Sequence, residues 1–345
     1  MGEEDTSTST VGRWLSQRDI LAGEDSEWEQ FYRRHRNIVP HLTGSIDQFR
    51  QTMHQAKMRA QQHGRPVVHG LDVRDYTAIS ATDVEVPLRV YKSLSPKADG
   101  AVMIYFHGGG WAMGDLDGED NICRLLCIES SLHIVSVDYR LAPENPYPAA
   151  ILDSITALHW VSDNDRTHGF DGDKIYVGGT SAGANLMVKA VVLRHLSPEI
   201  GIPIQGQLLR SPVLCSSDVH HHKMGLKSMD RYVDTPILNR QSMEQFFHWY
   251  QPGNPEHPTV SPLLSTELDR TPPSFLLICG HDPLRDEALA YADELERCRV
   301  PLRVAVYPGM PHAFWIFPEL STTKAATQDL IDGVRWLLAH SRRTS

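Results

Sequence analysis

The sequence predicts an α/β fold, a mostly parallel sheet with helices on both faces, and three observations carry that expectation. Short apolar, β-branched runs recur from about residue 84 to residue 309. Longer stretches of helical period separate them, and strands that alternate with helices pair in parallel because each helix carries the chain back to the same end of the sheet. Several runs, AVMIYF and FLLIC among them, are apolar at every position, the pattern of strands covered on both faces.

Taken in order, residues 11 to 63 come first and lie outside this alternation. WLSQRDIL, WEQFYRRH and IDQFRQTMHQAKMRAQQH read as amphipathic helices, closed by the breakers Gly64 and Pro66. Seven strand candidates follow: VEVPLRVYKS, AVMIYFHG, LHIVSVDYR, KIYVGGTS, GQLLRSPVL, SFLLICGHD and LRVAVYPG. Residues 215 to 260 depart from the pattern with SSDVHHHKM and FFHWYQPGNPEHP, polar, aromatic and Pro-rich. Both departures are expected over one end of the sheet, which divides the chain into an N-terminal helical cap segment, 1–70, and a main domain, 71–345, with a cap insertion at about 215–260.

Composition narrows the partners. A net charge of −10 and a pI near 6.0 leave no basic stripe to neutralise phosphates, which argues against nucleic acid and anionic membranes and in favour of a small neutral or cationic ligand. The first twenty residues have neither the basic nor the apolar region of a secretory signal, and no run approaches the roughly 18 apolar residues of a membrane helix. Five cysteines, an odd number, fit reduced thiols in a cytoplasmic protein. Cys123 and Cys127 share a helix face, but no second His or Cys pair completes a zinc pattern. The run His220 to His222 reads as a solvated loop, so no metal or cofactor is expected. The oligomeric state stays open, a homodimer included.

The chemistry is concentrated in IYVGGTSAG, where a β-run enters Gly179-Thr180-Ser181-Ala182-Gly183 and a helical stretch leaves it. A G-x-S-x-G between strand and helix holds its serine in a strained turn with the hydroxyl exposed, and the flanking glycines let the two chains pass. Ser181 is the candidate nucleophile; the competing reading is a plain glycine-rich loop. A serine hydroxyl needs a base, and the base an acid that fixes its tautomer. Of eighteen histidines, only His312 and His340 follow Asp282, which stands just past a buried strand. His340 ends a helical stretch, whereas His312 lies in the loop PGMPHAF after the last β-run. His312 is therefore the expected base and Asp282 the expected acid, with Asp286 as a fallback that reads better as a helix-surface charge. The triplet in YFHGGG then has a purpose: glycines let backbone N–H groups approach a developing oxyanion closely. Gly108, Gly109 and the amide of Ala182 are the expected hole, with Gly110 for the turn and His107 bracing the loop.

HGGGW at 107–111, DYRLAPE at 138–144, GTSAGANL at 179–186, HDPLRDE at 281–287 and PHAF at 311–314 together resemble the hormone-sensitive-lipase family of α/β-hydrolases. The resemblance runs from about residue 84 to the C-terminus. It implies a serine carboxylesterase or lipase with Ser181, Asp282 and His312 as its triad, a small-molecule ester as substrate, and a helical cap built partly from the N-terminus. Two positions depart from the family pattern, Thr180 where Asp is usual and Ala184 where Gly is usual. Asp138 and Arg140 read as structural. Trp111 and Phe314 are the expected substrate-binding residues, within an aromatic lining that also draws on Phe246, Phe247, Trp249 and Trp315. Acyl chains of about two to six carbons, or a bulky alcohol carrying a small acyl group, suit a pocket of roughly 300 to 1,000 Å³. The alternatives are an acyltransferase, a cyclisation or elimination catalyst using the same pocket, and a receptor-like binding protein.

Overall fold

Among the described residues eight strands, one more than the sequence predicts, form a single sheet in the order β1-β2-β4-β3-β5-β6-β7-β8. They are β1 (Leu71–Ile79), β2 (Glu85–Ser93), β3 (Val102–Phe106), β4 (His133–Val137), β5 (Ile175–Thr180), β6 (Ile204–Arg210), β7 (Ser274–His281) and β8 (Leu302–Pro311). The computed structural model describes residues 12–62, 69–95, 99–196, 201–220 and 224–341. Pairing is parallel from β4 through β8, and antiparallel where β2 meets β1 and β4. The extra strand is β1. Asp72, Arg74 and Asp75 interrupt its apolar pattern, which an edge strand tolerates because only part of it is covered.

Twelve α-helices accompany the sheet among the described residues: α1 (Arg18–Leu21), α2 (Ser26–His35), α3 (Ile46–Gln62), α4 (Asp120–Ser130), α5 (Ala149–Asp163), α6 (Asp165–His168), α7 (Ala182–Leu196), α8 (Ser217–His220), α9 (Ser228–Arg231), α10 (Arg240–Tyr250), α11 (Arg285–Arg297) and α12 (Ser321–His340). The residues of β3, β4, β5 and β6 are buried throughout. Alternate side chains serve two cores: Val102, Ile104 and Phe106 pack with α5, α7 and α11, while Met103 and Tyr105 pack with α4 and α12. Each such side chain removed from water contributes roughly 1.5–3 kcal/mol, which is why the two-sided runs form the centre of the sheet. All five cysteines are free, Cys123 and Cys127 both buried on α4.

The amino-terminal helices are tied down at several points. Asp293 of α11 accepts the amides of Trp14 and Leu15 at 2.7 and 2.9 Å. Glu27 of α2 accepts the Ser321 amide at 2.7 Å, joining α2 to the start of α12. On α3, Arg50 makes two 2.7 Å hydrogen bonds to Glu144, Lys57 pairs with Asp115, and Phe49 packs edge-on against Phe246 and Trp249 of α10. These contacts hold α3 and α10 together above the carboxyl ends of the strands.

One buried base stands out. Lys189 of α7 is fully inaccessible, its Nζ 4.9 Å from the ring centre of Tyr250 and 5.5 Å from that of Trp111. It donates to the Tyr250 hydroxyl at 3.4 Å, and among the described residues it makes no ion pair. Burial holds its amine well below the ordinary lysine range.

One sequence expectation needs correction here, and another falls mostly outside the described residues. Asp286 is not a surface charge: it is completely buried, pairs with Arg285 at 2.8 Å, and accepts the Lys227 and Ser228 amides, so it anchors the segment entering α9. In the histidine run, His220 ends α8, while His221 and His222 lie outside the described residues. No helix among the described residues is long and apolar enough to cross a membrane.

Candidate active site

Parallel strands deliver their following loops to one rim, so the segments after β3, β5, β7 and β8 all arrive where α3 and α10 lie. Ser181 sits in the turn between β5 and α7 with φ +55°, a left-handed conformation that a residue with a side chain holds only under constraint. The constraint is visible: its N–H donates to the Arg210 carbonyl at 2.8 Å and its carbonyl accepts from Val213 at 3.3 Å. The flanking glycines are required. A Cβ on Gly179 would stand 2.6 Å from the Gly183 carbonyl carbon, and one on Gly183 would collide with the Phe106 carbonyl oxygen.

His312 follows β8 immediately and places Nε2 3.1 Å from Ser181 Oγ, with Nδ1 2.7 Å from Asp282 Oδ2. The other Asp282 oxygen accepts the Leu284 amide at 2.9 Å, which fixes the carboxylate at the end of β7. An Nδ1–H donated to Asp282 leaves the Nε2 lone pair facing the serine hydroxyl, the arrangement a general base needs. All three side chains are nearly inaccessible, at 6%, 1% and 6% exposure for Ser181, Asp282 and His312.

The glycine loop is braced from behind. His107 stacks on Tyr139 at 4.2 Å and its Nδ1 meets the Gly108 carbonyl at 2.8 Å. Burial pushes His107 down to about 4, so it is a neutral brace at the pH where esters are usually cleaved. Gly109 has φ +123°, and a Cβ there would collide with the Met113 carbonyl. Ala182 stands at the first position of α7, where a helix leaves its amide without an intrahelical partner. Gly108 lines the cavity with Ser181 and lies against Thr180, whose Cγ2 would stand 3.1 Å from a Cβ placed there.

A cavity of about 400 Å³ opens over Ser181 and His312. Met53 and His54 of α3 form one wall, Ile237, Leu238 and Phe246 another, and Trp315 the side next to the base. Trp111 and Phe314 do not belong to it. Trp111 is 1% exposed and stacks on Tyr250 at 4.4 Å, and Phe314 is fully buried against Tyr307 and Trp315. Large rings flanking the loop and the base gain more by sealing the core than by facing a pocket. Of the six aromatics expected in the lining, Phe246 and Trp315 reach it.

Thr180 bonds the Tyr105 hydroxyl at 2.9 Å, and Ala184 fits a fully buried slot, so neither departure disturbs the turn. Arg140 pairs with Asp153 at 2.8 Å, a structural role, and burial raises the carboxyl of Asp138. Sequence reasoning passed over one wall residue, Glu119, and the arginine paired with it at 3.6 Å, Arg210. The signal for the second was present: an arginine inside the otherwise apolar run GQLLRSPVL has to find a partner.

Residues 103–316 match a family model described as the α/β-hydrolase fold. The carboxylesterase NlhH of Mycobacterium tuberculosis is 37% identical over 236 residues, 67% of this chain and 71% of that one. A versiconal hemiacetal acetate esterase of Dothistroma septosporum is 30% identical over 269 residues, 76% of this chain and 82% of its own. Among solved structures, a vibralactone cyclase superposes with a TM-score of 0.84 at 28% identity, covering 92% of this chain and 96% of its own.

Proposed function

The chain belongs to the α/β-hydrolase family, on its hormone-sensitive-lipase branch, and is a carboxylic ester hydrolase; from that premise we propose that it cleaves a small or short-chain acyl ester through an acyl-enzyme. The observation that supports this reading best is the relay Ser181, His312, Asp282, with hydrogen bonds of 3.1 and 2.7 Å at the floor of the cavity. Ser181 Oγ attacks the ester carbonyl while His312 Nε2 takes its proton, and Asp282 stabilises the imidazolium. The Gly108, Gly109 and Ala182 amides receive the negative charge on the carbonyl oxygen, a contribution of about 3–4 kcal/mol per donor in comparable sites. Collapse expels the alcohol, protonated by His312, and leaves Ser181 acylated. Water activated by the same imidazole then releases the acid.

The cap reading goes with this one. Residues 12–62 and the 215–260 segment supply the apolar walls, and a volume of about 400 Å³ suits a compact substrate better than a long acyl chain. The five free thiols fit a reducing compartment, which favours the cytoplasm. The test is a panel of p-nitrophenyl esters from acetate to palmitate beside Ser181→Ala. Highest kcat/KM at two to six carbons is expected; preference for palmitate, or activity left in Ser181→Ala, overturns the proposal. A second reading, acyl transfer within one molecule to close a ring, is favoured by the likeness to a vibralactone cyclase. Release of a cyclic ester in place of a free acid from a hydroxylated substrate distinguishes it.

A further inference from the structure

Next to the nucleophile lies a charged pair that the relay does not use. Glu119 precedes α4 and lines the cavity beside Gly108, Thr180, Ser181 and Trp315, with its side chain 14% exposed. The Thr180 hydroxyl and the Gly108 backbone both favour its charged form. Those two groups lie against each other beside Ser181: Thr180 immediately precedes it in the chain, and a Cβ on Gly108 would stand 3.1 Å from Thr180 Cγ2. Thr180 in turn bonds the Tyr105 hydroxyl of β3 at 2.9 Å.

The charge is balanced by Arg210 at the end of β6, whose guanidinium lies 3.6 Å from Glu119 and is 4% exposed. The guanidinium rests 3.8 Å from the centre of the Trp315 ring, which flanks His312 at 6.3 Å, and its Nε has no hydrogen-bond partner among the described residues. The Arg210 carbonyl is the group that accepts the Ser181 amide. A buried cation and a buried anion are each costly alone, so the two are retained together or lost together. Burial raises the Glu119 carboxyl, and the charge of Arg210 works against it.

We propose that Glu119 is a positioning residue of the hydrolytic site: it ties the glycine loop to the residue before the nucleophile, and Arg210 offsets its charge beside the base. This rests on the Ser181, His312, Asp282 reading above. Its contribution is twofold. Geometrically, an anchored Gly108 sets where the next amide, Gly109, points. Electrostatically, Glu119 keeps the uncompensated field of Arg210 away from the imidazolium that must form at His312. The charged and titratable groups facing Glu119 are Arg210 of β6, Tyr105 of β3, Tyr139 after β4 and Cys123 of α4. Those facing His312 are Asp282 and, across Trp315, Arg210.

The two contributions separate in two variants, Glu119→Gln and Glu119→Asp, each measured with p-nitrophenyl butyrate and normalised to sites titrated by a fluorophosphonate. Glu119→Gln removes the charge, so the acid limb of kcat/KM should move down by about half a pH unit or more, because Arg210 then disfavours the imidazolium. Its kcat should fall at least about tenfold with KM within about threefold, the split expected of an interaction that acts in the transition state. Glu119→Asp keeps the charge but loses one methylene of reach, so its acid limb should stay at the wild-type position while kcat falls. A purely structural role would lower the titrated fraction and leave the limb and kcat per site unchanged, and that outcome overturns the proposal. Should Glu119→Gln not fold, unchanged kcat per site in Glu119→Asp overturns it equally. Failure of the wild-type protein to react with the fluorophosphonate would strike the relay itself, a different result from a labelled enzyme indifferent to Glu119.

Discussion

The imidazole of His312 lies 3.1 Å from the Ser181 hydroxyl, although 131 positions separate the two residues in the chain. Three groups that touch in series act as one device, so their losses should not add. Ser181→Ala, His312→Ala and Asp282→Asn should each lower kcat by about 10⁴-fold or more, and any double variant should be within a few-fold of its worse single. Multiplying losses would mean that the three act independently. A fluorophosphonate should mark the peptide spanning Gly179 to Gly183 and no other.

The cavity wall formed by α3 gives the second expectation. Met53 faces the space above Ser181. Met53→Trp should fill part of it and lower kcat/KM for hexanoate relative to acetate by about tenfold, since each methylene excluded from an apolar pocket is worth about 1 kcal/mol or more. An unchanged ratio of the two esters would place the acyl chain elsewhere.

The crossing at the nucleophile's turn leaves no room for a side chain. A side chain at Gly183 would meet the Phe106 carbonyl oxygen, backbone that has no room to retreat within a buried strand. Gly183→Ala should destabilise the protein by about 3 kcal/mol or more, read as a lowered urea midpoint, with activity lost before the cooperative transition. A wild-type midpoint would show that the two backbones can part at little cost.

Lys189 supplies a dependence on pH. Its folded amine is held below the unfolded value of about 10.4, so the unfolded chain binds a proton that the folded one does not. The sign follows: its cost to stability is absent above about pH 10.4, grows as pH falls from there, and is complete below the folded value. Lys189→Met should therefore raise stability near neutral pH by about 1–3 kcal/mol and flatten the rise of the urea midpoint between pH 7 and 10. Equal slopes for the two proteins would mean that the amine stays protonated within its aromatic surround.

Much of this site could be read from the chain because its parts are local. The serine turn needs glycines at fixed offsets, and the acid and base each directly follow a run apolar enough to be recognised as a strand. What escaped the reading depends on distant partners or on the direction a side chain takes. β1 escaped because Asp72, Arg74 and Asp75 disguise an edge strand. Trp111 and Phe314 stand beside the right motifs and point away from the cavity, since φ and packing, not proximity in sequence, decide which way a ring turns. Asp286 looked like a solvated helix charge until the Lys227 and Ser228 amides arrived from elsewhere in the chain. Glu119 and Arg210 belong to different motifs, and nothing in either stretch names the other.

The order of the strands has a consequence for how this protein should fail. β5, which bears the serine, is enclosed by β3 and β6, whereas the histidine hangs from β8, the outermost strand, paired on one side alone. Fraying starts at boundaries, where the fewest bonds must break. Heating should thus detach the proton acceptor while the hydroxyl stays in its strained turn. The first damaged species would be a folded molecule with an intact nucleophile and no means of activating it. Against that stands the amino-terminal turn, whose Leu21 and Gly23 carbonyls and Asp25 amide press on Gly280 and Gly309, next to the acid and the base. That turn acts as a clasp on the weak margin, and its grip sets how long the catalyst lasts.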